Sequence, residues 1–443
     1  MLNLNLARMR RDAARYDLFR TSGVLRSATG LLLSCSLPAA VGDQCAIHKP
    51  DGDSLLAEVI GFQNGVAHVV PYEHAEEVHS GMRVTHLGRG LIAPVGAALL
   101  GRVVDGLGRP LDRGGPLRGC EMRPVRRGTP PALERERIRK PFVTGQRVID
   151  GLLTCGQGQR VGIFAGSGVG KSTLLGEIAK GSLADVNVLV LVGERGREVR
   201  SFLEDCLGPE GLARSVVVVA TCDQAPLMRA RAAQVAITMA DHFRAQGANV
   251  LFMLDSLTRL AMAQRELGLA LGEPPSSRGY TPSVFQVLAN TVEQLGNAAQ
   301  GSITGILTVL VDGDDLDEPI ADATRGLLDG HIVLDRRLAE RGHYPAVSVA
   351  RSISRVAREV TDAGHQQAAL KLREILAVHA EAEDLIRIGA YARGSSPQID
   401  RAVELMPAVL EFLRQKIGER VALAETRERM ERLAASWRFG VNS

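Results

Sequence analysis

Val161-Gly-Ile-Phe-Ala165-Gly-Ser-Gly-Val-Gly170-Lys171-Ser172-Thr173 is the stretch on which the fold turns. An apolar run, Val161 to Ala165, enters a glycine-rich turn and then Ser-Thr-Leu-Leu-Gly-Glu-Ile-Ala-Lys180, whose apolar spacing is helical. Strand, glycine turn and helix in that order form a phosphate cradle. Glycines let successive backbone N–H groups point inward, and the helix N-terminus adds positive potential. Ala165, Gly166, Ser167, Gly168, Val169, Gly170, Lys171, Ser172 and Thr173 follow the pattern G-x-x-x-x-G-K-[ST], with alanine in place of the first glycine. Lys171 is expected to reach the β- and γ-phosphates of a nucleotide, and the Ser172 hydroxyl to ligate Mg²⁺. Lysine is scarce in this chain, at positions 49, 140, 171, 180, 371 and 416, so a lysine at a motif position is informative.

Downstream, the apolar runs VNVLVLVG, SVVVVA, NVLFMLD, ITGILTVL and HIVL alternate with helical segments such as MRARAAQVAITMADHFRAQG. Continuous apolar runs between helices predict parallel strands buried on both faces, hence an α/β core with a mostly parallel sheet. The run from Val250 ends in Asp255, at the strand edge where phosphates lie in such sheets, and Asp255 can hold Mg²⁺ through its water shell. Val188 to Val192 ends in Gly193-Glu194-Arg195-Gly196-Arg197-Glu198. A carboxylate there can polarise the attacking water, which a phosphate loop alone cannot do. The competing reading pairs Glu194 and Arg195 with Arg197 and Glu198 in a surface loop. Beyond about Glu359 helical patterns dominate, and the stripe Val403, Met406, Leu410 and Leu413 reads as core.

Upstream, short apolar segments between turn residues predict a small β-barrel over 21–92, with Asn64-Gly65 as a type I′ hairpin turn. Its aromatic residues are Phe62 and Tyr72, and Glu73, Glu76 and Glu77 crowd its end, which is poor equipment for stacking single-stranded nucleic acid. Gly101 to Lys140, dense in Gly, Pro and Arg, reads as connecting loop. Residues 1–20 read as an amphipathic arm, with Leu2, Leu6 and Met9 among Arg8, Arg10, Arg11 and Arg15. The expected division is arm, barrel (21–92), nucleotide-binding domain (93–362) and C-terminal helical domain (363–443).

Composition fits that plan. The 443 residues are 45% hydrophobic and 23% charged, with a formal net charge of +3, too small for a general nucleic-acid or anionic-lipid field. No apolar run approaches a membrane span and the start lacks a signal-peptide core, so the cytoplasm is the expected address. Six cysteines stand far apart without metal-ligand spacing and read as reduced thiols. Asp312, Asp314, Asp315, Asp317 and Glu318 imitate a calcium loop, but Leu316 occupies a ligand position and the required glycine is missing.

AGSGVGKS, GERGREVRSFLED, MLDSLTRLAMAQRELGLALGEPPSSRGYTPSVF, DEPIADATRGLLDGHIVL, AERGHYPAVSVARSISRV and AEDLIRIGAYARGSSPQID together resemble the type III export ATPases, the flagellar branch best. The resemblance covers about Gly23 to the C-terminus. It implies a fold similar to the catalytic subunit of rotary ATP synthases, assembled as a homo-hexamer that hydrolyses ATP to ADP and phosphate. It further implies that Glu194 activates water, Arg195 helps hold the γ-phosphate region, Tyr344 stacks on adenine, and Arg355 is an arginine finger into the neighbour's site. The implied partners are a stator-like regulator, export gate membrane proteins, export substrates and their chaperones, at the inner membrane's cytoplasmic face, with no nucleic acid. Three alternatives stay open: the injectisome ATPase of the same family, an RNA-translocating hexamer, and a non-catalytic nucleotide-binding ring subunit.

Overall fold

The computed structural model of the protein describes residues 20–125, 131, 133, 135–311 and 315–438. The arm up to residue 19, and Asp312 and Asp314 of the acidic cluster, lie outside them.

Six strands among the described residues close into a barrel: β1 (Ser22–Thr29), β2 (Leu32–Cys35), β3 (Asp43–His48), β4 (Ser54–Gln63), β5 (Val66–Pro71) and β6 (Arg83–Gly90), ordered β1-β2-β5-β4-β3-β6. Alternate residues such as Leu33, Cys35, Cys45, Ile47, Leu55, Ala57, Val59 and Val69 fill its interior. Asn64 (φ 52°) and Gly65 (φ 75°) join β4 to β5 with Gln63 opposite Val66, the two-residue turn expected of an Asn-Gly pair.

Three strands follow: β7 (Ile92–Val95), β8 (Arg102–Asp105) and β9 (Glu121–Pro124). β8 and β9 correct the expectation of loop between Gly101 and Lys140. β9 pairs with β7, and β8 joins the edge of the central sheet against Val216–Val219. A four-residue strand bounded by glycines has too few positions to show a period, and it owes its existence to the neighbour it pairs with.

A short ribbon of β10 (Pro141–Phe142) and β11 (Cys155–Gly156) flanks helix α1 (Arg147–Leu152). The core sheet then runs through β12 (Arg160–Ala165), β13 (Val186–Val192), β14 (Ser215–Ala220), β15 (Asn249–Asp255), β16 (Gly296–Asn297), β17 (Ser302–Leu310), β18 (Gly330–Val333) and β19 (Ile353–Ser354). Among the described residues nine strands compose it, in the order β19-β18-β12-β17-β15-β13-β14-β8, with β16 paired outside this path to β17. β18, β12, β17, β15, β13, β14 and β8 are mutually parallel.

Both faces are buried, which explains the unbroken apolar runs. In β13, Val186, Val188, Val190 and Val192 enter one core, and Leu189 and Leu191 the other. The first core is covered by α3 (Pro226–Ala245) and α4 (Leu257–Ala270), the second by α2 (Lys171–Gly181) and the C-terminal helices α5 (Ala363–Arg387), α6 (Pro397–Leu413) and α7 (Leu423–Ser436). Of the predicted stripe on α6, Met406 and Leu413 are buried and Leu410 packs on the same core, while Val403 is partly exposed.

The barrel is fastened to the core by charge. Arg231 of α3 donates to both carboxylate oxygens of Glu58 at 3.0 and 2.8 Å, and the buried Tyr72 hydroxyl donates to Glu58 at 2.7 Å. Among the described residues no helix is long and apolar enough to cross a membrane. All six cysteines are free thiols.

Candidate active site

The glycine turn takes the shape its sequence requires. Gly168 (φ 77°) and Gly170 (φ 88°) adopt the left-handed conformation, and Gly170 caps α2 without any side chain on its first N–H groups. Those groups remain available to an anion. Ala165 is the last residue of β12, paired with Leu310 and 1% exposed, so its methyl belongs to the core. This position needs no glycine conformation, which accounts for the departure from the motif.

Three strand ends converge beyond this turn. Lys171 Nζ lies 2.5 Å from Asp255 Oδ1 at the end of β15 and 3.9 Å from Glu194 Oε1, just past β13. Asp255 is opposite Leu191 in the parallel register, which brings both carboxylates to the same edge. Thr308, buried on the intervening β17, donates to Asp255 Oδ1 at 2.7 Å. Lys171 and Thr308 therefore share one carboxylate oxygen, leaving Oδ2 to face a further partner. With the exposed Ser172 hydroxyl on the first turn of α2, this is a hard-oxygen pair suited to Mg²⁺ and its waters.

Glu194 is half-buried. Burial, then the Asp255 charge and a hydrogen bond with Glu198, push its carboxyl up to about 7, against the lowering pull of Lys171 and Arg259. Glu198 moves the other way, held low by the same hydrogen bond. Arg259, on the first turn of α4, stands 3.3 Å from Glu194 Oε1 and donates to Gly193 O at 2.7 Å. It escaped the motif reading, although its place four residues after Asp255 was a usable signal. Thr308 and Arg259 add a clamp on each carboxylate.

The other sequence candidates spread outward. Arg195 is exposed at the start of the next helix, beside Glu198. Tyr344, 45% exposed, lies over the glycine turn: a Cβ at Gly170 would stand 3.3 Å from its Cε1. Arg355 is not part of this cluster. Its N–H donates to Asp329 O, and Ser354 is level with Gly330 and hence with Val161, four residues back from the Ala165 end of β12. That is about 13 Å down the sheet, away from the phosphate edge. The exposed Arg355 side chain borders a cavity of about 970 Å³ with Arg351, Arg358 and Arg373.

A glycine turn that opens a helix, with a lysine and two strand-end carboxylates gathered at the same sheet edge, is the arrangement of the P-loop triphosphatases. Comparison with known proteins narrows the class. Residues 145–354 match the ATP synthase alpha/beta family nucleotide-binding domain, 26–88 the beta-barrel domain of that family, and 361–432 the T3SS EscN ATPase C-terminal domain. The chain is 50% identical to the flagellum-specific ATP synthase of Bacillus subtilis (strain 168), covering 93% of this chain and 94% of that one. It is 45% identical to the type 3 secretion system ATPase of Xanthomonas euvesicatoria, covering 95% and 96%. The structure of the assembled ATPase EscN in complex with its central stalk EscO, from enteropathogenic E. coli, superposes with a TM-score of 0.87 at 42% identity, over 93% of this chain and all of that one. The chain belongs to the type III export ATPases of the ATP synthase alpha/beta family.

Proposed function

We propose that the protein hydrolyses ATP to ADP and phosphate for a type III protein export apparatus, the flagellar one in preference to the injectisome. The observation that supports hydrolysis over mere binding is Glu194: a carboxylate with a raised pKa beside Lys171, at the edge where the γ-phosphate would end. Residues Ala165 to Thr173 cradle the phosphates, and Lys171 turns from its carboxylate partners to the β- and γ-phosphate oxygens. Ser172 and Asp255 would hold Mg²⁺, which would supply neutralisation of phosphate charge. Glu194 takes the proton of the attacking water, Arg259 and Thr308 keep the two carboxylates in place, Arg195 faces the γ-phosphate region, and Tyr344 stacks on the adenine.

Arg355, remote from its own site and exposed, serves the site of a neighbouring copy, so the working form is a homo-hexameric ring. The EscN structure is that of an assembled ATPase in complex with its central stalk EscO. By analogy this chain takes a stator-like or stalk-like regulator, gate membrane proteins, and export substrates with their chaperones, at the cytoplasmic face of the inner membrane. The RNA-translocating reading loses ground in the barrel, where Tyr72 is buried against Glu58 rather than offered for base stacking.

The test separates binding from chemistry. Lys171→Ala is expected to abolish tight ATP binding, and Glu194→Gln to keep binding and lose hydrolysis by at least about a hundredfold. Equal loss of binding in both would reverse the role assignment, and wild-type protein that binds ATP without turnover at any concentration would favour a non-catalytic ring subunit.

A further inference from the structure

The loop between α6 and α7 reaches into the nucleotide-binding domain at points the hydrolytic chemistry does not use. Gln415, 9% exposed, is its centre. Its backbone N–H donates to Tyr344 O at 2.9 Å. Its side-chain carbonyl accepts from the Arg147 N–H at 2.8 Å, and its amide nitrogen donates to Gly145 O at 2.7 Å and Glu419 O at 2.6 Å. Both amide donors and the carbonyl of this side chain are engaged, so it has one orientation available.

Neighbouring residues reinforce the connection. The buried Arg147 side chain donates to Phe412 O at 3.1 Å, and also to Arg414 O and the Glu419 carboxylate. Arg414 Nε donates to His343 Nδ1 at 3.4 Å, and His343 is neutral because burial, then Arg414, pushes it down to about 4. The Gly418 N–H donates to Glu177 Oε2 at 2.6 Å on α2, the helix that Lys171 opens. One loop of the C-terminal domain thus grips the backbone behind Tyr344 and the flank of the P-loop helix.

Tyr344 needs such a grip. Among the described residues its hydroxyl makes no hydrogen bond and its ring is half exposed, so the ring's position over Gly170 depends on where its backbone is held. We propose that Gln415 is a positioning residue for the nucleotide base: through it the C-terminal helical domain holds Tyr344 against the P-loop turn and sets the affinity for the base, not for the phosphates. This rests on Tyr344 being the stacking face, and the experiment separates the two.

Equilibrium dissociation constants for ATP and for inorganic tripolyphosphate, which has phosphates but no base, are measured by calorimetry on the full chain. The proteins are wild type, Gln415→Met, Gln415→Glu, Tyr344→Ala and the Tyr344→Ala/Gln415→Met double variant. Emission of Trp437, the single tryptophan, checks the C-terminal packing of each. Gln415→Met is expected to weaken ATP about tenfold and tripolyphosphate less than about twofold. Gln415→Glu, which keeps the acceptor for Arg147 but loses both donors, should follow it, and the double variant should bind ATP no more weakly than Tyr344→Ala alone. If Tyr344→Ala weakens ATP while both Gln415 variants bind normally, the positioning role is overturned and the stacking reading survives. If Tyr344→Ala binds ATP normally, the stacking reading falls and this inference with it. Equal weakening of ATP and tripolyphosphate in the Gln415 variants would reveal general damage and also overturn it.

Discussion

Glu194 is poised at the wrong protonation for its proposed task until the pH is high enough. With its carboxyl pushed up to about 7 by burial first and Asp255 second, much of it is protonated at neutral pH and cannot take a proton from water. The expected result is a kcat/KM that falls about tenfold per pH unit below about 7, read from initial rates between pH 5.5 and 8.5. A flat profile over that range would remove Glu194 as the base. The linkage has the opposite sign for stability. A raised carboxyl pKa stabilises the fold below the unfolded value of 4.5, and that contribution is lost as pH rises through about 7. Glu194→Gln, neutral at every pH, is therefore expected to have a higher urea midpoint than wild type at pH 8 and to match it near pH 4. Lys171, Ser172, Asp255 and Glu194 were legible in the sequence because each ends a strand or opens a helix in a recognisable string. Thr308 and Gln415 were not: one is an ordinary strand residue and the other an ordinary loop residue, and each matters through a partner 53 or more positions away.

Among the elements, α3 and β4 meet through a charge that no apolar contact can replace in isolation. Glu58 is 0% exposed and Arg231 is its bidentate partner. Arg231→Met is expected to cost about 3–5 kcal/mol by taking the bidentate cation away from a fully buried carboxylate, seen as a lowered denaturant midpoint or an early barrel transition. Adding Glu58→Met should recover most of that loss, since a buried ion pair exchanged for apolar side chains of similar volume is often neutral. A double variant as unstable as the single one would mean that the cavity, not the charge, sets the cost. The long elements were readable in advance: β12, β13, β14, β15 and β17 are apolar on both faces, and the Asn64-Gly65 turn fixes its own hairpin. The strand β8 was not, because Arg102-Val-Val-Asp105 has no local signal and is held by β14 and by the Arg102–Asp112 ion pair behind it.

At the scale of the whole molecule, the role proposed for Arg355 would limit what one copy can do alone. It projects from the end of the sheet remote from the phosphate edge, so hydrolysis is expected to rise more steeply than linearly with protein concentration until rings form. Arg355→Ala should retain ATP binding and lose that concentration-dependent activity by about 10³-fold or more. Turnover per chain that stays constant from dilute monomer to assembled protein would refute the role. Neither Arg355 nor Tyr344 could be chosen from local chemistry, since an arginine near a strand end and a tyrosine before a proline are commonplace. Only the longer motifs around them singled them out.

The proposed role of Arg355 would divide the machinery into two heritable halves. On that proposal a chain with Lys171→Ala still offers a sound Arg355 to its neighbour, and a chain with Arg355→Ala still offers a sound cradle. Two preparations that are each inactive should therefore regain activity when mixed, with about a quarter of the interfaces in a random equal mixture rebuilt in working order. Genetic complementation between two defective alleles of one gene would be the trace that the sheet's far end leaves in a living cell.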